Sequence, residues 1–180
     1  MRRKADSSGG KLKMLRNTNW VSILESRSDD ELVLLRAALD AEMRKRDIAF
    51  SVGGVGERLV IEHFQKTPGL PKLFPASRNT KNVDANSNRG ERYSIKTVCR
   101  AKKTGTIYSD FQDHDKQLFE YLLIVKLAED WSLKSIHQLP WSEFVKVRSW
   151  DTRMNAWYVG ISARTLGVAK LIYQAPGKNA

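Results

Sequence analysis

Val83-Asp84-Ala85-Asn86-Ser87-Asn88-Arg89-Gly90-Glu91-Arg92-Tyr93-Ser94-Ile95-Lys96-Thr97-Val98 reads as two short strands, 83–86 and 92–98, joined by a tight turn. Asn88-Arg89-Gly90 supplies the turn, and Gly90 can take the positive φ that such turns use. With those three residues as the loop, Asp84 falls opposite Ser94, and Lys96 follows on the same strand face. A carboxylate and a lysine converging on one face form an arrangement that can hold a divalent metal and a phosphate. The plainer alternative is a surface ion pair.

Downstream of the hairpin, Tyr121-Leu122-Leu123-Ile124-Val125 is continuously apolar, as a central strand covered on both faces must be. A turn near Glu129-Asp130 leads into a partner strand over 132–138. Pro140 opens a short helix over 141–145, and 156–161 reads as a further strand. The last residues carry little pattern. Upstream, Pro68, Pro71 and Pro75 mark a loop. Gly53 and Gly54 open a helix over 54–66 with Val55, Leu59 and Phe64 as its buried stripe. Glu57 sits near the start of that helix, where the dipole favours a carboxylate. Ser28-Asp29-Asp30-Glu31 is a capping box for a helix over 29–46, whose Leu32, Leu35, Leu39 and Met43 recur at helical spacing. That helix reads as scaffold or dimer contact. Residues 1–16, rich in Arg, Lys, Ser and Gly, read as a flexible basic arm, and 17–180 as a single domain. The order helix, helix, hairpin, buried strand, strand, helix predicts an α/β sandwich with a mixed central β-sheet.

Charge narrows the partners. The net charge of +11 is unevenly spread. Residues 66–103 hold ten basic and two acidic groups, or +8, and residues 1–16 hold six and one, or +5. Residues 17–65 come to −3 and 104–180 to +1. Positive charge thus collects in the arm and around the Asp84/Lys96 hairpin, where it would steer a polyanion. Arg78 and Lys81 before the strands, and Arg100, Lys102, Lys103 and Thr104 after them, are the candidate contacts to a nucleic-acid backbone.

Other chemistries are weakly represented. The single cysteine, Cys99, excludes an internal disulfide and a zinc site built on several thiolates, and points to an intracellular, reducing, cytoplasmic location. No apolar run approaches the roughly 20 residues that span a bilayer, and the basic N-terminus is followed by no apolar segment of a secretory signal. His63, His114 and His137 are dispersed, with His114 read as part of a solvated loop. Cys99 and the tryptophans Trp131, Trp141, Trp150 and Trp157 read as packing.

An Asp, a short gap and then Ser94-Ile95-Lys96 at the (D/E)-x-K place resemble the signature of the PD-(D/E)xK nuclease superfamily. Gly53-Gly54-Val55-Gly56-Glu57-Arg58-Leu59-Val60 is similar to the helix that carries an extra glutamate before the core in many such nucleases. Asn79-Thr80-Lys81-Asn82-Val83-Asp84-Ala85, Gly90-Glu91-Arg92-Tyr93-Ser94-Ile95-Lys96 and Phe119-Glu120-Tyr121-Leu122-Leu123-Ile124-Val125 resemble the superfamily's compact restriction-endonuclease-like branch. The resemblance covers roughly residues 28 to 165.

What the resemblance implies is a three-layer core and a Mg²⁺-dependent endonuclease that hydrolyses phosphodiester bonds of duplex DNA. Such an enzyme would be type II restriction-like, act in defence against foreign DNA, accept Mn²⁺ as a substitute, and work as a homodimer. It implies Asp84 as direct metal ligand, Glu57 as a second ligand directly or through water, and the Ile95 carbonyl as a third. Lys96 would orient or deprotonate the attacking water, or stabilise the phosphate. Ser94 departs from the pattern: a neutral hydroxyl is a poorer ligand than the usual carboxylate, which puts a two-metal site in doubt. Glu91, near the turn, is a weak replacement. Ser94 also keeps two alternatives open, a catalytically impaired nucleic-acid-binding protein of the same fold and a ribonuclease.

Overall fold

The structure, a computed structural model, describes residues 20–48, 51–77 and 80–176. The basic arm expected over 1–16 lies outside the described residues. The chain forms two compact units, residues 1–49 and 50–180, where one domain was expected after residue 16.

The first unit contributes α1 (Trp20–Glu25) and α2 (Asp29–Lys45). α2 starts where the capping box requires. The Ser28 hydroxyl accepts from Glu31 N at 3.3 Å, and the Glu31 carboxylate accepts from Ser28 N at 2.9 Å. Three acidic residues in its first turn and Arg44 and Lys45 in its last suit the helix dipole. The expected apolar stripe is present but uncovered, and neither helix has a buried residue.

In the second unit, α3 (Val52–Lys66) begins two residues earlier than predicted. Ser51 is its N-cap and accepts from Gly54 N at 2.9 Å. Gly56, Val60 and Phe64, four apart, form its buried face, whereas Val55 and Leu59 are only partly buried. Then come β1 (Leu73–Pro75), β2 (Ala85–Ser87), β3 (Arg92–Val98), β4 (Tyr121–Leu127) and β5 (Leu133–Pro140). They are followed by α4 (Trp141–Val147), β6 (Arg148–Asp151), β7 (Ala156–Val159), α5 (Ala163–Val168) and β8 (Lys170–Gln174).

Six strands form one mixed sheet in the order β1-β2-β3-β4-β5-β8. Only β3 and β4 are parallel, in the register Lys96↔Ile124 and Val98↔Lys126; the other neighbours are antiparallel. Arg92 and Glu120 lock the start of that pair: the guanidinium meets Glu120 Oε1 at 2.7 Å, and Glu120 N donates to Arg92 O at 3.0 Å. β6 and β7 make a separate ribbon. The segment between β3 and β4 is tied to β7 by bridges Lys103↔Gly160 and Ile107↔Trp157.

The apolar run of β4 is buried on both sides, as read. Leu123, Val125 and Leu127 pack with Val60 and Phe64 of α3. Leu122 and Ile124 pack with Phe144 of α4 and with Val159 of β7. Three strands were not foreseen. β1 lies where a proline-marked loop was expected, and Pro75 is tolerated because β1 is a sheet edge that can spare an N–H. β6 and β8 are short strands in weakly patterned sequence. Among the described residues no helix is long and apolar enough to cross a membrane.

Candidate functional site

The hairpin turn forms as its residues dictate. Gly90 takes φ 85°, Gly90 N donates to Ser87 O at 3.1 Å, and Ser87 N donates to Glu91 O at 2.8 Å. The pairs Ala85↔Tyr93 and Asn86↔Arg92 set the register. Continued by one residue, it places Asp84 opposite Ser94. The backbone of Asp84 is held on both sides, its N–H donating to Tyr93 O at 2.8 Å and its carbonyl accepting from Ala76 N at 3.0 Å.

One carboxylate oxygen then gathers three donors. Asp84 Oδ2 accepts from Ile95 N at 2.6 Å, from Ser94 Oγ at 3.3 Å and from Lys96 Nζ at 3.5 Å. None of the three falls on Oδ1. Ser94 is fully buried. The Lys96 and Asp84 side chains are mostly covered, at 17% and 23% exposed, so this is a shielded pair rather than a solvated surface bridge.

Glu57 joins them from α3. Its carboxyl is pushed above the ordinary value of 4.5 by burial first and then by the negative charge of Asp84, while Lys96 pulls it back. A glutamate that senses both residues stands in their electrostatic neighbourhood. Its helix is brought there by Gly56. A Cβ on Gly56 would fall 2.0 Å from Thr97 Oγ1 and 2.8 Å from Thr97 Cβ, so only glycine lets α3 lie this close to β3. In the sequence Gly53 and Gly54 read only as the helix opening, and neither Gly56 nor its partner Thr97 reads as a close contact.

The other candidates are placed as follows. The Ser87 hydroxyl donates to Glu91, which also receives Tyr93 OH at 3.5 Å and is part of the turn. Lys81 Nζ donates to Ser109 O at 3.4 Å. Arg100 pairs with Glu129 at 3.1 Å and Lys103 with Asp151 at 3.1 Å. These are exposed cations whose local pairs are weak enough to exchange for a phosphate. Arg78 lies outside the described residues. Thr104 is not a solvent-facing donor: it is 4% exposed. Its hydroxyl donates to Gly105 O and accepts from Val159 N at 3.0 Å, which commits it to the joint between the crossover and β7.

The remaining reactive side chains have structural surroundings. His114 stacks on Trp150 with centroids 5.4 Å apart, His63 packs on Tyr173, and buried His137 meets Ser135 Oγ at 3.1 Å. Cys99 Sγ donates to Ala128 O. Among the described residues no group of three or more His, Cys, Asp or Glu gathers as a metal cluster. Any cation at this site would therefore rest on two carboxylates and backbone oxygen.

The donors present do fit a hard cation. Asp84 leaves Oδ1 out of its hydrogen bonds, and Glu57 is a second carboxylate whose ionisation Asp84 opposes. In a strand the N–H and C=O of one residue point to the same lateral side. Ile95 N–H points at Asp84, so its carbonyl faces the same side, past the end of the ladder with β2, whose pairing starts only at Ala85. Two carboxylates against one ammonium leave one net negative charge for a divalent ion. Compared with models of known protein families and with curated proteins, the chain matches none.

Proposed function

We propose that residues 50–180 form a metal-dependent endonuclease of the restriction-endonuclease-like kind, a three-layer sandwich that hydrolyses the backbone of duplex DNA. The observation that carries this reading is the use of a single oxygen of Asp84 for Ile95 N, Ser94 and Lys96, beside a glutamate that its charge perturbs. A plain surface ion pair has no need of a second, partly buried carboxylate or of a glycine that admits its helix.

Asp84 Oδ1, Glu57 and the Ile95 carbonyl would hold Mg²⁺ or Mn²⁺, hard ions that need only one or two carboxylates. Bound there, the ion would draw charge from the scissile phosphate and lower the pKa of the attacking water. Asp84 is kept in place by the Ile95 N–H and by both of its own backbone bonds. Lys96 presents its ammonium to a phosphate oxygen or to the attacking water, in a mostly covered position where charge acts strongly. Ser94 steadies Asp84 and takes no ligand role. Cutting both strands of a duplex needs two such sites, so the working form is a homodimer acting in a restriction-like role.

A second reading rests on Ser94. Fully buried and neutral, it leaves the site one carboxylate short of the usual pattern, as in a nucleic-acid-binding protein that has lost cleavage. The experiment is incubation of supercoiled plasmid with the protein in Mg²⁺ or in EDTA. Nicked or linear product that requires the metal supports the nuclease. Plasmid left intact in both, while DNA binding is retained, rejects it in favour of the binding protein.

A further inference from the structure

Beyond Lys96 the same face of the sheet runs into a cleft of about 430 Å³ at the C-terminal ends of the parallel strands β3 and β4. Arg100, Lys102, Lys126 and Lys134 line it, against one carboxylate, Glu129. Glu129 is already paired with Arg100. Among the described residues, Lys102, Lys126 and Lys134 have no carboxylate within ion-pair distance.

Cations gathered without counter-charges repel one another, and a crevice focuses their field. The ends of parallel strands are also where open α/β sheets place ligands. Resting on the nucleic-acid reading above, we propose that this cleft is a second phosphate site, holding a phosphate of the same polynucleotide strand that Lys96 engages.

Register gives the spacing. Lys96 and Val98 share a face, and Val98 pairs with Lys126, so Lys126 lies on the Lys96 side of the sheet. Two strand residues separate the two lysines, about 7 Å along the strand. The cleft would therefore hold a phosphate close to the bond under attack and fix the direction of the strand across the site. Lys126 and Lys134 come from the two strands after the crossover and were not among the basic candidates read from the sequence.

The test is equilibrium binding of a fluorescent duplex in EDTA across a salt series, so that cleavage plays no part. Lys126→Gln, Lys102→Gln and Lys134→Gln are compared with wild type and with Lys66→Gln, an exposed lysine of α3 outside the cleft. Each cleft variant is expected to reduce the slope of log K against log salt, and the triple variant to reduce it by about 0.9, the share of one duplex phosphate. Lys66→Gln should leave the slope unchanged. Cleft variants with the wild-type slope overturn the inference, even if the protein cuts DNA. Reduced slopes in a protein that never cuts would uphold the cleft while the nuclease reading fails. Wild type without DNA binding overturns both.

Discussion

Gly56 stands so close to Thr97 that a Cβ added to it would lie 2.0 Å from the threonine hydroxyl oxygen and 2.6 Å from its methyl carbon. The contact joins α3 to β3 one residue from Glu57 and one from Lys96. The stretch that seats the helix is thus the stretch that assembles the site. Gly56→Ala must push α3 away from a β-branched neighbour that cannot rotate clear. A loss of about 2 kcal/mol is expected in urea denaturation, in the range of overpacked cores, with any DNA cleavage reduced as Glu57 withdraws. Wild-type stability in this variant would show that the contact is easily relaxed.

The same contact buries Thr97 Oγ1 without a hydrogen-bond partner. Thr97→Val keeps the shape and removes an unsatisfied polar atom. It should raise stability by about 1 kcal/mol, because burying an unpaired hydroxyl carries that order of cost. Denaturation midpoints of the two proteins check it, and a clear loss would mean that the hydroxyl is satisfied.

Glu120 supplies a pH-dependent contribution at the start of β3 and β4. The Arg92 guanidinium, above all, holds its carboxyl below the ordinary 4.5. Ionised Glu120 therefore stabilises the fold fully above the unfolded value, and the benefit is lost as pH falls from about 4.5 through the lower native value. Glu120→Gln should cost about 1 kcal/mol at pH 7, modest because the pair is partly exposed. The gap from wild type should close in strong acid. Melting curves at pH 7 and pH 3 read the effect, and a gap that is constant with pH would assign it to shape alone.

Metal binding has a readout separate from cutting. At ten times its dissociation constant, Mn²⁺ should stabilise the wild type by about 1.4 kcal/mol. Asp84→Asn, which keeps a hydrogen-bond acceptor for Ile95 N but removes the charge, should lose most of that shift. An equal shift in both proteins would place the ion elsewhere.

Sequence legibility followed the range of the signal. The Asn88-Arg89-Gly90 turn, the Ser28/Glu31 capping box and the unbroken apolar run of β4 are each written within a few adjacent residues, and each forms as read. From that turn the register of Asp84 against Ser94 could be counted. What could not be read depends on distant partners. β1 is a three-residue strand made by pairing with β2, and its proline argued for a loop. β8 exists because β5 has a free edge. Thr104 looked like a phosphate donor until the crossover brought it under β7. The lysines of the basic cleft come from separate strands, and only the fold brings them together.

The central claim, that Asp84 and Lys96 do chemistry rather than merely pair, is tested most directly by single-turnover cleavage of duplex DNA with Mg²⁺. Wild type is compared with Asp84→Asn and Lys96→Met, with DNA binding measured alongside. Loss of metal coordination, or of a positioned charge at the reacting phosphate, should lower the rate by about 10²-fold or more, with affinity for DNA changed only a few-fold. Cleavage by either variant within tenfold of wild type would contradict the account.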